Sequence, residues 1–293
     1  MSSSAHGARR PFVLRCREGE LLLGTRTLVM GILNCTPDSF SDGGLFRDSA
    51  EAIEHGLRMA EEGADILDVG GESSRPGSDP VPLEEELKRT IPVIVGLASR
   101  LDIPISVDTY KAEVAEQAIE AGAQMINDIS GLSFDSLMPA VAARHDTPVI
   151  IMHMQGTPKT MQQAPAYTDV MQEIITDLCA GIARATQAGV DPQQVIVDPG
   201  IGFGKRIADN LTILNRLDEL TALERPILIG TSRKSFIGTI VDREVSDRTI
   251  GTLATVAVSA LKGAHIVRVH EVASAKETVV MVDAILNAEG WGR

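Results

Sequence analysis

The sequence predicts an α/β fold, a (β/α)8 TIM barrel in a single domain with an N-terminal β-hairpin. Three observations carry that expectation. Eight short apolar runs punctuate the 293 residues, at 28–33, 66–69, 104–107, 125–126, 149–152, 195–197, 227–229 and 266–269. Segments of helical period lie between them, long enough to cross back over a sheet. Nearly every run is followed by a residue able to do chemistry: Asn34, Glu72, Asp108, Asn127, His153, Asp198, Ser232 with Lys234, and His270. Strand alternating with helix reads as a parallel sheet, and strands buried on both faces read as continuous apolar runs. Eight repeats suggest closure, which places chemistry at the C-terminal strand ends.

The elements follow in order. Residues 1–11 are Ser-rich and basic and read as a disordered tail, leaving 12–293 as the catalytic domain. Residues 12–16 and 21–23 flank Arg17-Glu18-Gly19-Glu20 as a hairpin that plugs the bottom of the barrel. Asp48 and Glu51 have capping-box spacing for a helix over 48–62, closed by Gly63. A helix over 83–100 is kinked or divided by Pro92. Helices over 111–121, 134–144, 167–188, 207–220, 249–261 and 274–288 complete eight. The connections 34–47, 70–81, 153–166 and 231–248 are long for loops of this kind. All four follow strands, so all four sit on the catalytic rim.

Composition narrows the function. With 44% hydrophobic residues the chain can build a large core, and a barrel of this length is routinely one domain. No run approaches the ~18 apolar residues of a membrane span, and no secretory signal is visible. Three cysteines, Cys16, Cys35 and Cys179, stand far apart without a C-x-x-C pair, which suits a reducing cytoplasm. A net charge of −13 argues against nucleic-acid binding, and 3% aromatic residues argue against a base-stacking platform.

Several segments carry candidate chemistry, each with a plainer alternative. Asn34 offers a neutral carbonyl to a hard cation such as Mg²⁺, which takes its other ligands from water and substrate phosphates. The loop after it is equally ordinary turn chemistry. In 68–78, paired glycines stand beside Arg75, which can fork two bonds onto a phosphate; the alternative is a Gly-rich loop with a surface arginine. Asp108, Asn127 and Asp198 suit a flat heterocycle with several N–H donors, or else cap the helices that follow. The glycines of 198–205 lack the full G-x-G-x-x-G spacing, which discounts a nucleotide fingerprint. Lys234 supplies a point charge beside a helix start able to hold an anion. Arg268 and His270 share one side of a strand, and an arginine inside a barrel is expensive unless an anion meets it. His153 has no second ligand at metal spacing and reads as a satisfied strand-end histidine.

Taken together, the blocks N-C-T-P-D-S-F-S-D-G-G, D-V-G-G-E-S-S-R-P-G, S-V-D-T, I-N-D-I-S-G, H-M-Q-G-T-P, D-P-G-I-G-F-G-K, S-R-K-S-F-I-G and R-V-H-E-V resemble the dihydropteroate synthase family from about residue 28 to 272. Cys35, Ser74 and Glu271 depart from the commoner valine or leucine, threonine and aspartate, and none removes a group the chemistry needs. The resemblance implies condensation of 6-hydroxymethyl-7,8-dihydropterin pyrophosphate with 4-aminobenzoate, by dissociative loss of pyrophosphate and attack of the amine. It implies that Asp108, Asn127, Asp198 and Lys234 hold the pterin. It further implies that Asn34 helps to bind Mg²⁺, and that Arg75, Arg268 and His270 join it in gripping the pyrophosphate. By the same resemblance, Phe40, Ser74, Pro76, Phe203 and Ser235 are expected to help build the aminobenzoate pocket, and two chains to form a homodimer through the late helices. Lys234, Asp198, Arg268 and His270 are the residues on which catalysis is expected to rest. Two rivals remain: the pterin-binding barrel of a methyltransferase, and a pterin-binding paralogue without activity.

Overall fold

A closed ring of parallel strands forms the centre of the molecule. The computed structural model describes residues 9–17, 19–36 and 45–288, without the side chains of 45–48. The strands are β1 (Phe12–Cys16), β2 (Gly19–Leu23), β3 (Leu28–Asn34), β4 (Ile66–Gly70), β5 (Ile105–Asp108), β6 (Met125–Asp128), β7 (Val149–Met152), β8 (Val195–Asp198), β9 (Leu228–Ile229) and β10 (Ile266–Val269). Strands β3 to β10 make one eight-stranded parallel sheet in the order β8-β7-β6-β5-β4-β3-β10-β9. A parallel bridge between Val197 and Ile227 joins its two ends. The fold read from the eight apolar runs is the fold observed.

Side-chain alternation divides each strand between two cores. Outward residues such as Val29, Leu67, Val107, Ile126, Ile151, Val197 and Val267 pack under the helices in the larger apolar cluster. Inward residues at the strand starts form a second cluster of Leu28, Met30, Ile66, Met125, Ile150, Ile196, Leu228 and Ile266. The antiparallel hairpin β1–β2 inserts Leu14 and Leu23 into that cluster, both essentially fully buried. Each such side chain contributes about 1.5–3 kcal/mol by leaving water. The hairpin is therefore the bottom plug that its apolar pattern predicts. At the end of the expected tail, the Arg9 side chain is 3% exposed with its Nη2 2.5 Å from Asp283, while the Arg10 carbonyl lies 3.0 Å from Nε2 of His265. Residues 1–8 lie outside the described residues.

The helices are α1 (Leu45–Glu61), α2 (Leu83–Ala98), α3 (Ala112–Glu120), α4 (Met138–Arg144), α5 (Val170–Gln187), α6 (Ile207–Asn215), α7 (Ser235–Val241), α8 (Thr249–Leu261) and α9 (Val272–Leu286). Three differences from the sequence expectation have local causes. α1 begins at Leu45, so Asp48 lies within it rather than at its cap. α2 runs undivided through Pro92, which sits on the exposed face, where water can reach the carbonyl it frees. α4 starts four residues later than the periodicity suggests. Asp128 accepts the Ser130 and Leu132 N–H groups and Ser130 Oγ accepts those of Ser133 and Phe134, which gives this stretch side-chain partners in place of helix.

Candidate active site

At the top of the barrel the inward positions change from apolar to charged. Two residues beyond Ile66, Met125, Ile196 and Ile266 stand Asp68, Asn127, Asp198 and Arg268, and Asp108 ends β5 beside Asn127 in register. Arg268 holds the floor together. Its Nε donates to Asp68 Oδ2 at 2.5 Å and its Nη2 to Asp108 Oδ2 at 2.7 Å. Asn127 Nδ2 donates to the same Asp68 oxygen at 3.0 Å. Burial pushes the Asp108 carboxyl above the usual carboxylate range, and the Arg268 guanidinium pulls it back. Two atoms in this floor, Asp68 Oδ1 and Ser106 Oγ, are buried without a hydrogen-bond partner among the described residues, and their residues are paired across β4 and β5. Buried polar atoms in that state are rare and mark places where a ligand or water completes the bonding.

The wall on the β8 side carries a second charge group. Asp198 is 6% exposed, and its Oδ1 accepts the Gly200 N–H at 2.7 Å. Burial raises its pKa to about 6, against the pull of that N–H, Lys234 and Lys205. Lys234 directly precedes α7, and its Nζ lies 4.1 Å from the centre of the Phe203 ring, a cation–π distance. Burial and Arg268 lower its pKa to about 8. Phe203 packs in a small apolar patch with Ile129, Met152 and Met161. Beneath them the buried Lys205 ammonium meets His153 Nδ1 at 2.9 Å and the carbonyls of Phe203 at 3.0 Å and His153 at 3.3 Å. Burial brings that lysine down to about 7 and His153 down to about 3. His153 is thus a packed acceptor, as the absence of ligand spacing around it suggests.

On the β10 side, His270 Nδ1 lies 2.9 Å from Ser232 Oγ. Burial, with Arg233, Arg268, Lys234 and Arg75 nearby, lowers the imidazole to about 3, so the ring is neutral at pH 7. The rim loop after β4 is latched by Glu72, which accepts from Tyr110 OH at 2.5 Å, Lys111 Nζ at 2.6 Å and the Val81 N–H at 2.9 Å. The same loop meets the one after β7 through Gly77 N–H to the Pro158 carbonyl at 3.0 Å. Ser74 is half-buried on it, while Arg75 and Pro76 are exposed. The Arg75 side chain has no hydrogen bond or ion pair among the described residues.

Among the described residues, a cup of three acids, an amide and three cations with the Phe203 ring on one wall suits an electron-rich heterocycle joined to an anion. Comparison with known proteins agrees. The family model for pterin binding enzymes matches residues 30–270. The chain belongs to that family. Among curated relatives, the dihydropteroate synthase of Synechocystis is 50% identical over 89% of this chain and 91% of its own. That of Bacillus subtilis is 45% identical over 95% of each chain. The solved Xanthomonas albilineans dihydropteroate synthase with 4-aminobenzoic acid superposes with a TM-score of 0.89 at 44% identity, covering 95% of this chain and 99% of that one. The same organism's enzyme in complex with 7,8-dihydropteroate gives 0.84 at 42% identity, over 94% and 99%.

For this pterin-binding family member, the structure brings Asp108, Asn127, Asp198, Lys234, Phe203, Arg268 and His270 to one end of the barrel. Asn34 ends β3 opposite Gly70, on the same rim. Ser235 opens α7 and is exposed. Phe40 lies outside the described residues. Sequence reasoning gave no role to Asp68 or Lys205, and it named Ser232 at its strand end beside Lys234 without a role of its own. Asp68 could have been found, because it shares the inward side with Ile66 and is an acid in the middle of an apolar barrel strand.

Proposed function

We propose that the cup joins 6-hydroxymethyl-7,8-dihydropterin pyrophosphate to 4-aminobenzoate, yielding 7,8-dihydropteroate and pyrophosphate in the folate route, the transferase reaction of a dihydropteroate synthase. The observation that carries this reading is the gathering of Asp108, Asn127, Asp198 and Lys234 around one partly unsatisfied floor. Asp108, Asn127 and Asp198 accept the N–H groups of the pterin, and Lys234 donates to its carbonyl. Because Arg268 already forks onto Asp68 and Asp108, the arriving pterin takes Asp108 and frees one arm of Arg268 for the diphosphate.

The difficult event is departure of that diphosphate from a methylene beside the ring. The amine of 4-aminobenzoate is neutral at pH 7 and needs no base to attack; the proton its nitrogen sheds once the C–N bond forms leaves with the pyrophosphate. Arg268, Arg75 and His270 stabilise the negative charge that grows on the leaving group, an effect of a few kcal/mol per well-placed donor. Ionised Asp198 and Asp108 favour the positive charge spread over the pterin. Ser74, Pro76, Phe203 and Ser235, with Phe40, shape the aminobenzoate pocket. The latched loops keep water from trapping the cation.

Mg²⁺ fits this site only as a partner of the substrate. Asn34 offers one hard oxygen at the rim, and the described residues contain no group of three His, Cys, Asp or Glu side chains able to cage a metal. When bound with the diphosphate, the ion supplies charge neutralisation to the leaving group.

Two copies pair through α8 and α9, which leave Ile250, Leu261, Val280, Met281 and Ile285 between 50% and 85% exposed. Three unpaired thiols suit the cytoplasm, and no helix among the described residues is long and apolar enough to cross a membrane. The methyltransferase barrel and the inactive paralogue have less support, since Arg75, Lys234 and His270 are all in place. Incubation with both substrates and Mg²⁺ tests the reading: dihydropteroate and pyrophosphate form in equal amounts, and pterin binding without condensation would favour a rival.

A further inference from the structure

We infer that Ser232 is a positioning residue that fixes the tautomer of His270: its hydroxyl donates to Nδ1, so Nε2 keeps its hydrogen and offers an N–H to the departing diphosphate. The inference rests on the reading above, in which His270 meets that group.

Ser232 is 5% exposed in the loop after β9. Its Oγ has three neighbours within reach: His270 Nδ1 at 2.9 Å, the His270 backbone nitrogen at 3.2 Å and Glu271 Oε2 at 3.3 Å. A hydroxyl has one hydrogen and two lone pairs. The backbone N–H occupies one lone pair, so the single hydrogen goes either to Nδ1 or to Glu271. Glu271 is already paired with Arg233, whose Nε lies 2.6 Å and Nη2 2.5 Å from Oε1, and it is 22% exposed, so water can reach the other oxygen. Nδ1 is the nearer acceptor, and among the described residues it has no other partner. The short contact therefore carries the hydrogen.

The charge around the ring leads to the same arrangement. Arg233, Arg268, Lys234 and Arg75 all oppose a further positive charge, and with burial they keep the imidazole neutral. A neutral ring has one hydrogen, and its position is set by what the other nitrogen does. With Nδ1 accepting, Nε2 donates. The opposite tautomer would turn a bare lone pair toward an anion. Glu271 contributes by holding Arg233, and among the described residues it is Ser232 that decides which face of the imidazole is the donor.

The test uses the full chain with ¹⁵N-labelled histidine, His270→Gln identifying the resonances and inorganic pyrophosphate as the probe. At pH 7 the free wild-type protein should show Nδ1 unprotonated and Nε2 protonated. Ser232→Ala should average the two tautomers and weaken pyrophosphate binding about tenfold, the effect of a lost buried hydrogen bond. Ser232→Ala should leave the affinity for a pterin without diphosphate unchanged, and Ser232→Thr should restore both readouts. A wild-type ring protonated at Nδ1, or a wild-type tautomer in Ser232→Ala, would overturn the inference. If pyrophosphate leaves the His270 resonances unmoved, the diphosphate contact itself fails, while the tautomer in the free protein still judges Ser232.

Discussion

The two ends of the barrel interior are built on the same face of the same strands, yet they obey opposite rules. At the bottom, Ile66, Met125, Ile196 and Ile266 close around Leu14 and Leu23 of the hairpin, a dry cluster. One step of two residues higher, the same strands present Asp68, Asn127, Asp198 and Arg268, with Asp68 Oδ1 left without a partner. The bottom gains free energy from burial. The top spends some of it, because charged groups are held largely out of water and part of their bonding is left for a ligand or water to complete. Stability and reactivity are thereby separated along one axis, about 6–7 Å apart by the rise of a strand.

Substitutions at the two ends should separate in the same way. The largest effect belongs to the top: Lys234→Ala or Asp198→Ala should abolish turnover in a coupled assay while the circular dichroism stays that of a folded barrel. Near-normal rates from either variant would remove the distinction. At the bottom, Leu14→Ala should lower the unfolding free energy by about 2–4 kcal/mol, as cavities in a packed core do, with kcat/KM unchanged. A comparable loss of activity would mean that the plug also shapes the cup.

The smallest effect is a pH dependence. Asp198 accepts from two N–H donors, and most strongly, when it is ionised, and its pKa stands near 6 rather than 3.8. Pterin affinity should therefore fall as pH drops through about 6. Stability runs the other way: between these two values the native chain binds the extra proton, so the native state weakens as pH rises through the window. Asp198→Asn should be more stable than the wild type at pH 8, and the gain should shrink toward pH 4. A uniform loss at all pH values would show that Asp198 is structural instead.

The sequence made the barrel visible because burial on both faces turns each strand into an unbroken apolar run, and the polar residue after it marks the catalytic end. Asp108, Asn127, Asp198 and His270 were legible for that reason. Asp68 was not, since an acid inside Ile66-Leu67-Asp68-Val69-Gly70 reads as the start of the glycine loop unless strand parity is applied. Lys205 was hidden within a glycine motif, and its burial depends on three acceptors from two loops. Ser232 gains its meaning from His270, 38 residues away. The late start of α4 escaped because periodicity ignores the turns that Asp128 and Ser130 form with nearby N–H groups.

The most direct measurement is a crystal structure with a pterin and a pyrophosphate analogue bound together. It should place the heterocycle against Asp108, Asn127, Asp198 and Lys234, with the 2.7 Å contact between Arg268 and Asp108 opened and the guanidinium turned to the anion. A pterin seated elsewhere, or an Arg268 still forked on both aspartates beside an occupied cup, would contradict the account.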